Sequence, residues 1–140
     1  MSFLLDTNVI AEWVKPLPEP RVVTWLAQAG EDRLFLSVVS FAEIRRGIEA
    51  LADGRKRERL AEWLADELPG RFAGRILDID RSVAEAWGSV SAGSARSGVP
   101  LAVPDGFLAA TARTHGLTLV TRNVRDFRAT GIALFDPWER

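Results

Sequence analysis

The feature that most constrains the fold is the alternation of short apolar runs with segments whose apolar residues recur at helical spacing. The apolar runs with the length of buried strands are Phe3–Leu5, 34–39, 75–79, 117–121 and 132–135. The segments between them that show helical periodicity are 21–29, 40–51, 55–68, 82–96 and 105–115. Strands that alternate with helices through short links favour a parallel sheet covered by helices on both faces. We therefore expect an α/β fold.

Length and composition limit the class of protein further. A chain of 140 residues is expected to form one domain, residues 1–140. Its 18 basic and 19 acidic residues leave a net charge of −1, so any contact with nucleic acid must be local. The absence of Cys excludes a disulfide scaffold and a Cys nucleophile and suits the cytoplasm. No stretch approaches the ~20 apolar residues of a membrane span, so a soluble protein is expected.

Acidic residues follow the predicted strands at the end where parallel sheets bind ligands. Asp6 comes directly after the first strand, and Glu43 lies one helical turn after the second. Asp105 opens a late helix, while Asn123 and Asp126 follow the strand 117–121. Sites in open parallel sheets form beyond the carboxyl ends of the strands, so we expect these side chains to lie near one another.

Carboxylates that share a cleft repel one another and raise one another's pKa, which costs free energy unless a cation lies between them. The chain offers only oxygen ligands apart from a single His. Oxygen ligands favour Mg²⁺ or Mn²⁺ over zinc. The pattern therefore predicts a divalent metal site and phosphate chemistry, in which a bound Mg²⁺ activates a water and neutralises charge on a phosphate.

Each acidic residue also has a purely structural interpretation. Asp6 is a candidate N-cap of the helix that begins near Thr7, and Asp105 is a candidate cap after Pro104. The run from Ser40 to Glu43 matches a capping box, and Asp126 could stabilise a turn. Capping alone does not predict that the caps gather at one edge of the sheet, with Thr7, Asn8, Ser40 and Thr121 beside them.

Four segments resemble the PIN-domain nucleases, and in particular the VapC-like toxins of bacterial type II toxin–antitoxin pairs, with the FitB-type subgroup most similar. The segments are LLDTNVI at 4–10, SFAEIRRG at 40–47, DGFLAATA at 105–112 and TRNVRDF at 121–127. No single motif decides the resemblance. Four motifs in this order cover essentially the whole chain and are together specific.

The resemblance implies a single PIN-like domain with a five-stranded parallel sheet flanked by helices. It also implies homodimerisation, a small VapB-like antitoxin as partner, and cleavage of RNA that depends on Mg²⁺ or Mn²⁺. Carried over by position, Asp6, Glu43 and Asp105 take the three acidic catalytic and metal-binding positions. Thr7 or Asn8 supports the first carboxylate, and Thr121 is an additional candidate site residue.

The fourth acidic position departs from the family pattern. Many relatives carry Asp two residues after the threonine of the last motif, and this chain has Asn123 there. An amide oxygen can still bind a metal ion but brings no charge, so a second ion would be held weakly or through Asp126 and a water. This departure favours an alternative function, a catalytically weak PIN-fold binding module that acts through a DNA-binding antitoxin. The intact acidic triad favours the nuclease.

Arginine side chains are the candidate RNA contacts. Arg122 and Arg125 neighbour the predicted metal site, and Arg45 and Arg46 begin a basic segment, 45–59. The structural alternative for that segment is the solvated surface of a helical hairpin formed by 40–51 and 55–68.

The five Trp residues and the single His complete the candidate residues. Trp87 shares a helical face with apolar residues and is expected in the core. Trp25 or Trp63 is a candidate for a dimer or antitoxin contact, because aromatic anchors concentrate at interfaces. His115 precedes Gly116 at a helix end, where a structural role is expected. One His and no Cys exclude a Ser-His-Asp or Cys-His mechanism.

Overall fold

Five parallel strands form one sheet in the computed structural model, which describes residues 1–139. In chain order the strands are β1 (Phe3–Leu5), β2 (Leu34–Ser37), β3 (Ile76–Leu77), β4 (Thr118–Val120) and β5 (Leu134–Phe135). The order across the sheet is β3-β2-β1-β4-β5, and each neighbouring pair is parallel. The predicted α/β fold with five parallel strands is confirmed, and β1 lies at its centre.

Helices connect the strands and flank the sheet. They are α1 (Thr7–Ile10), α2 (Pro20–Ala29), α3 (Val38–Glu49), α4 (Arg55–Glu62), α5 (Leu68–Arg71), α6 (Arg81–Arg96), α7 (Val103–His115) and α8 (Val124–Phe127). Among the described residues, no helix is both long and apolar enough to cross a membrane. Helix α7 ends at Gly116, whose φ of 63° is a left-handed conformation that a glycine adopts without strain. His115 lies at this helix end, as predicted.

The strands carry apolar side chains on both faces, because successive side chains of a strand point to opposite sides. Leu5, Leu36 and Val120 belong to one buried cluster, with α2 and the turn that contains Trp138. Leu4 and Leu119 belong to a second cluster, with α6 and α7. The sheet is thus buried on both faces, which explains why its strands read as continuous apolar runs.

Several element boundaries differ from the sequence predictions. Strand β2 ends at Ser37 rather than at 39, because the Ser37 hydroxyl accepts a hydrogen bond from the Val39 backbone N–H (3.1 Å) and begins α3. The edge strand predicted at 75–79 is shortened to Ile76–Leu77, and the predicted 132–135 to Leu134–Phe135. Helix α7 begins at Val103, two residues before the predicted start.

The helix predicted at 55–68 is interrupted. After α4, a π-helical turn occupies Trp63–Glu67, and α5 follows. Pro69 has no backbone N–H, and its ring would collide with the carbonyl four residues earlier in a regular helix, which accounts for the wider turn. Helices α3 and α4 pack as the predicted hairpin, and Arg57 bridges them by bonding to Glu49 (3.1 Å) and to the Leu51 carbonyl (3.3 Å).

The Trp residues are distributed differently from the prediction. Trp25, one of the two candidates for an interface contact, is buried and packs edge-on against Phe3 at 5.0 Å, which disfavours it for that role. Trp63 is half-buried against the same cluster. Trp87 is only half-buried, because it covers the contact between α6 and α7 and stacks on Phe107 at 5.3 Å.

Candidate functional site

The carboxyl ends of the three central strands place the candidate residues at one edge of the sheet. Strand β1 lies between β2 and β4, with Leu5 in register with Val120. The backbone N–H of Asp6 donates to the Val120 carbonyl (2.9 Å), so the residues that follow β1 and β4 lie side by side. Helix α3 begins directly after β2 and carries Glu43.

Asp6 is buried and held by two hydrogen bonds from different parts of the chain. Its Oδ1 accepts from the Thr7 backbone N–H (2.6 Å), which makes it the predicted N-cap of α1. Its Oδ2 accepts from the Thr121 hydroxyl (2.7 Å), 115 residues away. The Thr121 oxygen in turn accepts from the backbone N–H of Asn123 (3.0 Å). The capping interpretation of Asp6 is therefore correct but incomplete.

Glu43 is held by a chain of hydroxyl groups. The Thr7 Oγ1 lies 2.7 Å from Glu43 Oε1 and 2.9 Å from Ser40 Oγ. A hydroxyl has one proton, and Thr7 donates it to the carboxylate, so Thr7 accepts from Ser40. The capping-box interpretation of Ser40 and Glu43 is wrong, because Ser37 is the N-cap of α3.

Asp105 is the third residue of α7 and is partly buried. Its predicted capping role is also wrong, because the N-cap position is Ala102 and no side chain caps the helix. Burial raises the pKa of Asp105 to about 6, and the negative charges of Asp6, Glu43 and Asp126 contribute to the rise.

Asp6 has a raised pKa for the same reasons. Burial is the largest cause, hydrogen bonds from Thr121 and Thr7 oppose it, and the charge of Glu43 adds to it. The carboxylate that follows β1 and those on α3 and α8 therefore act electrostatically on Asp105, and Glu43 also acts on Asp6. Within residues 1–139, however, no three His, Asp or Glu side chains already stand close enough together to form a complete set of metal ligands.

The donor chemistry of this edge fits a hard divalent cation. Every candidate ligand is an oxygen, and mutual repulsion of the carboxylates is relieved by a positive ion between them. Asn8, two residues after Asp6 on α1, has a buried side-chain oxygen, Oδ1, with no hydrogen-bond partner among the described residues. Of the two residues expected to support the first carboxylate, Thr7 contacts both Asp6 and Glu43.

Asn123 and Asp126 are both exposed on the outer side of the cluster. Asn123 occupies the N-cap position of α8 without a side-chain capping bond. Asp126 lies on α8 and is near enough to Asp105 to raise its pKa. The negative charge of Asp126 therefore acts on the carboxylate cluster, which the interpretation of Asp126 as a turn residue does not include.

The candidate RNA contacts have different environments. The guanidinium carbon of Arg122 lies 5.3 Å from the centre of the Trp138 ring, and Arg125 is exposed on α8. Arg45 pairs with Glu49 at 3.4 Å. Arg46 is exposed and has no ion pair within the described part of the chain.

Sequence reasoning missed Glu12, whose side chain is buried. Burial favours a higher pKa, but the hydrogen bond from the Glu19 backbone N–H (2.8 Å) and the ion pair with Lys15 bring its pKa below the usual value. Arg122 contributes to the same shift. The available signal was an acidic residue within the otherwise apolar stretch from Val9 to Trp13.

Comparison with known proteins agrees with this fold. The family model described as PIN domain matches residues 3–133, and the chain belongs to the PIN domain family. It is similar to Toxin FitB of Neisseria gonorrhoeae, with 41% identity over 96% of this chain and 97% of that protein. It is 35% identical to VapC ribonuclease Y4jK of Sinorhizobium fredii, over 97% of each chain.

A solved structure, FitAB bound to an IR36 DNA fragment, has the same fold. It superposes with a TM-score of 0.91 and 39% identity, over 97% of this chain and 95% of the matched chain. Membership of this family implies use of a divalent metal ion.

Proposed function

We propose that this chain is a metal-dependent endoribonuclease that hydrolyses RNA phosphodiester bonds and acts as the toxin of a type II toxin–antitoxin pair. The observation that carries the proposal is the gathering of carboxylates from four separate segments at one sheet edge, where burial, together with the neighbouring negative charges, raises the pKa of Asp105 to about 6. Such a cluster is costly for a fold and is typical of a functional site. The names of the relatives, toxin and ribonuclease, support the same activity.

Asp6, Glu43 and Asp105 are the residues that would hold the ion, Mg²⁺ or alternatively Mn²⁺. When bound, the ion supplies neutralisation of the phosphate charge and a more acidic water. Asn123 adds an uncharged oxygen and Asp126 a charge at the periphery, so a second ion would be bound more weakly than the first.

The chain's own residues orient the reacting groups. Thr121 fixes Oδ2 of Asp6, and Thr7 fixes Oε1 of Glu43. The remaining oxygen of Glu43 accepts a hydrogen bond from the water that attacks phosphorus in line. The bond from phosphorus to the 3′ oxygen breaks, so the products carry a 5′-phosphate and a 3′-hydroxyl. Arg122 and Arg125, with Arg45 and Arg46 on α3, contact the flanking phosphates.

Partners follow from the same proposal. We expect the chain to form a homodimer and to bind a small VapB-like antitoxin that inhibits it. The toxin name of the gonococcal relative and the DNA-bound FitAB assembly support this arrangement. RNA is the substrate, and no membrane is needed for the reaction.

A second candidate function is a catalytically weak binding module that works through a DNA-binding antitoxin. Asn123 favours it, because the amide lacks the charge that a second metal ion would need. The mutual repulsion of Asp6, Glu43 and Asp105 favours the nuclease, because binding alone gives no reason for it.

The test is cleavage of single-stranded RNA by the purified chain with Mg²⁺ or Mn²⁺, with EDTA, and with Asp6→Asn or Asp105→Asn. We expect removal of the metal ion by EDTA, and each Asp→Asn substitution, to lower the rate of RNA cleavage by about 10²-fold or more, as for other removed electrostatic groups. Asp32→Asn is a control, since this exposed residue lies before β2 at the opposite end of the sheet. Cleavage that persists in EDTA would refute the metal role, and an inactive wild-type chain would favour the binding module.

A further inference from the structure

A groove of about 420 Å³ opens beside the carboxylate cluster. Its lining comes from one stripe of α3 and from the first turn of α7, namely Ala42, Glu43, Arg46, Gly47, Ala50 and Pro104. Glu43, Arg46, Gly47 and Ala50 share one helical face, because they are spaced three or four residues apart. Pro104 directly precedes Asp105. The groove therefore includes Glu43 and borders Asp105, two of the residues that would hold the metal ion in the proposed function.

We propose that this groove binds the nucleotide next to the cleaved bond of single-stranded RNA, with its base on the apolar floor and a backbone phosphate on Arg46. The inference rests on the proposed nuclease function. A phosphodiester positioned for cleavage beside Glu43 and Asp105 has a nucleotide on each side, and one of these nucleotides must leave the site along the surface that adjoins the two residues. Ala42, Ala50 and Pro104 give that surface a flat apolar character.

Charge supports RNA as the occupant. Arg45 and Arg46 are neighbours on α3, but their side chains differ in ion pairing. Arg45 is paired with Glu49 at 3.4 Å, whereas Arg46 lines the groove and has no carboxylate within ion-pair distance in the described part of the chain. A free guanidinium pairs with phosphate and stacks on bases, and single-stranded RNA is commonly recognised through unstacked bases.

Gly47 provides a direct test, because a Cβ added there would meet no atom within 4 Å. Gly47→Leu is therefore expected to extend an apolar side chain into the groove. Gly88→Leu is the matched control, since Gly88 is also exposed within a helix, α6, and its added Cβ also meets nothing. Thermal unfolding of both variants checks that each remains folded.

Three measurements compare the variants with wild type: KM and kcat for single-stranded RNA, the base preference beside the cut in a random RNA pool, and the Kd for a labelled 2′-O-methyl RNA in EDTA. For Gly47→Leu we expect Kd and KM to rise about fivefold to tenfold, at the low end of what stacking of one base contributes. We also expect an altered base preference at one position. Gly88→Leu should resemble wild type, and Arg46→Met should weaken binding more than Arg45→Met.

The outcomes separate this inference from the proposed function. If wild type cleaves RNA and Gly47→Leu matches Gly88→Leu in Kd and base preference, the groove does not bind RNA, although the nuclease proposal stands. If Gly47→Leu instead impairs homodimer formation in light scattering and leaves the Kd unchanged, the groove is a protein contact and the inference is wrong. If wild type cleaves no RNA, both proposals fall.

Discussion

At the scale of single residues, three hydroxyl groups determine how the carboxylates are presented. Thr121 bonds to Asp6, Thr7 bonds to Glu43, and Ser40 bonds to Thr7. The sequence placed these hydroxyl groups near the acidic residues but could not assign the bonds. The assignment matters because the Thr7 hydroxyl occupies Oε1 of Glu43 and leaves its other oxygen for an ion or a water, whereas both oxygens of Asp6 accept hydrogen bonds that fix its orientation.

We expect Thr7→Val to lower kcat of RNA cleavage by about 10-fold to 100-fold, as typically follows loss of a group that orients a metal ligand. Valine keeps the shape of threonine but cannot donate to Glu43. Mn²⁺ affinity, measured by calorimetry, should fall as well, whereas the exposed Thr24→Val on α2 should leave both unchanged. Wild-type rate and affinity in Thr7→Val would show that the hydroxyl does not orient Glu43.

At the scale of elements, close packing of α6 on α7 fixes the segment that carries Asp105. Gly106 is buried under Trp87, and a Cβ there would lie 2.7 Å from Trp87 Nε1 and 3.0 Å from its Cδ1. That indole nitrogen is buried without a hydrogen-bond partner among the described residues, so the ring is placed by packing alone. The sequence motif shared with the PIN family includes this glycine, but the reason for it lies in the contact between the helices.

We expect Gly106→Ala to lower the free energy of unfolding by about 1–3 kcal/mol, the usual cost of overpacking a well-filled contact. Gly88→Ala on the neighbouring helix should instead raise it by up to ~1 kcal/mol, because its Cβ meets open space and alanine favours a helix. Urea denaturation of both variants gives the comparison. Equal stability of the two variants would mean that Trp87 moves aside freely.

At the scale of the whole molecule, the strand order creates the carboxylate cluster. Asp6 and Asp105 are 99 positions apart in the sequence, and a sheet with β1 between β2 and β4 brings their elements to one edge. The cluster then affects the stability of the entire fold, because the pKa of Asp105 is raised to about 6, from an ordinary value of 3.8.

This shift predicts how the stability of the metal-free protein depends on pH. Between pH 4 and 6 the folded state retains a proton on Asp105 that the unfolded state has lost, so stability falls as the pH rises. Relative to Asp105→Asn, the free energy of unfolding of the wild type should fall by about 1–2 kcal/mol over this range, allowing for partial exposure. Denaturation of both proteins in EDTA at several pH values measures this difference in the free energy of unfolding. A difference between the two proteins that does not vary with pH would contradict the shift.

Adding Mn²⁺ at pH 7 should recover stability in the wild type and much less in Asp105→Asn, because binding to the folded state stabilises it. The same ion should have a much smaller effect below pH 4, where Asp105, with its pKa of about 6, is protonated.

Much of this molecule was predictable from its sequence. The five apolar runs, the helical segments and the positions of Asp6, Glu43 and Asp105 after the strands depend on local pattern alone. The incorrect predictions concern residues whose local sequence pattern was compatible with two structural roles. Ser40 matched a capping box, yet Ser37 caps the helix and Ser40 bonds to Thr7. Trp25 was one of two candidates for an interface contact, yet it is buried against Phe3.

The sequence by itself determined the class of fold and the chemical nature of the acidic edge, because hydrophobic periodicity and residue type are properties of neighbouring positions. Only the tertiary structure decided which hydroxyl holds which carboxylate, how strongly the carboxylates repel one another, and that a groove opens beside Glu43. These properties depend on distances and burial between residues that are far apart in the chain, which no local pattern encodes.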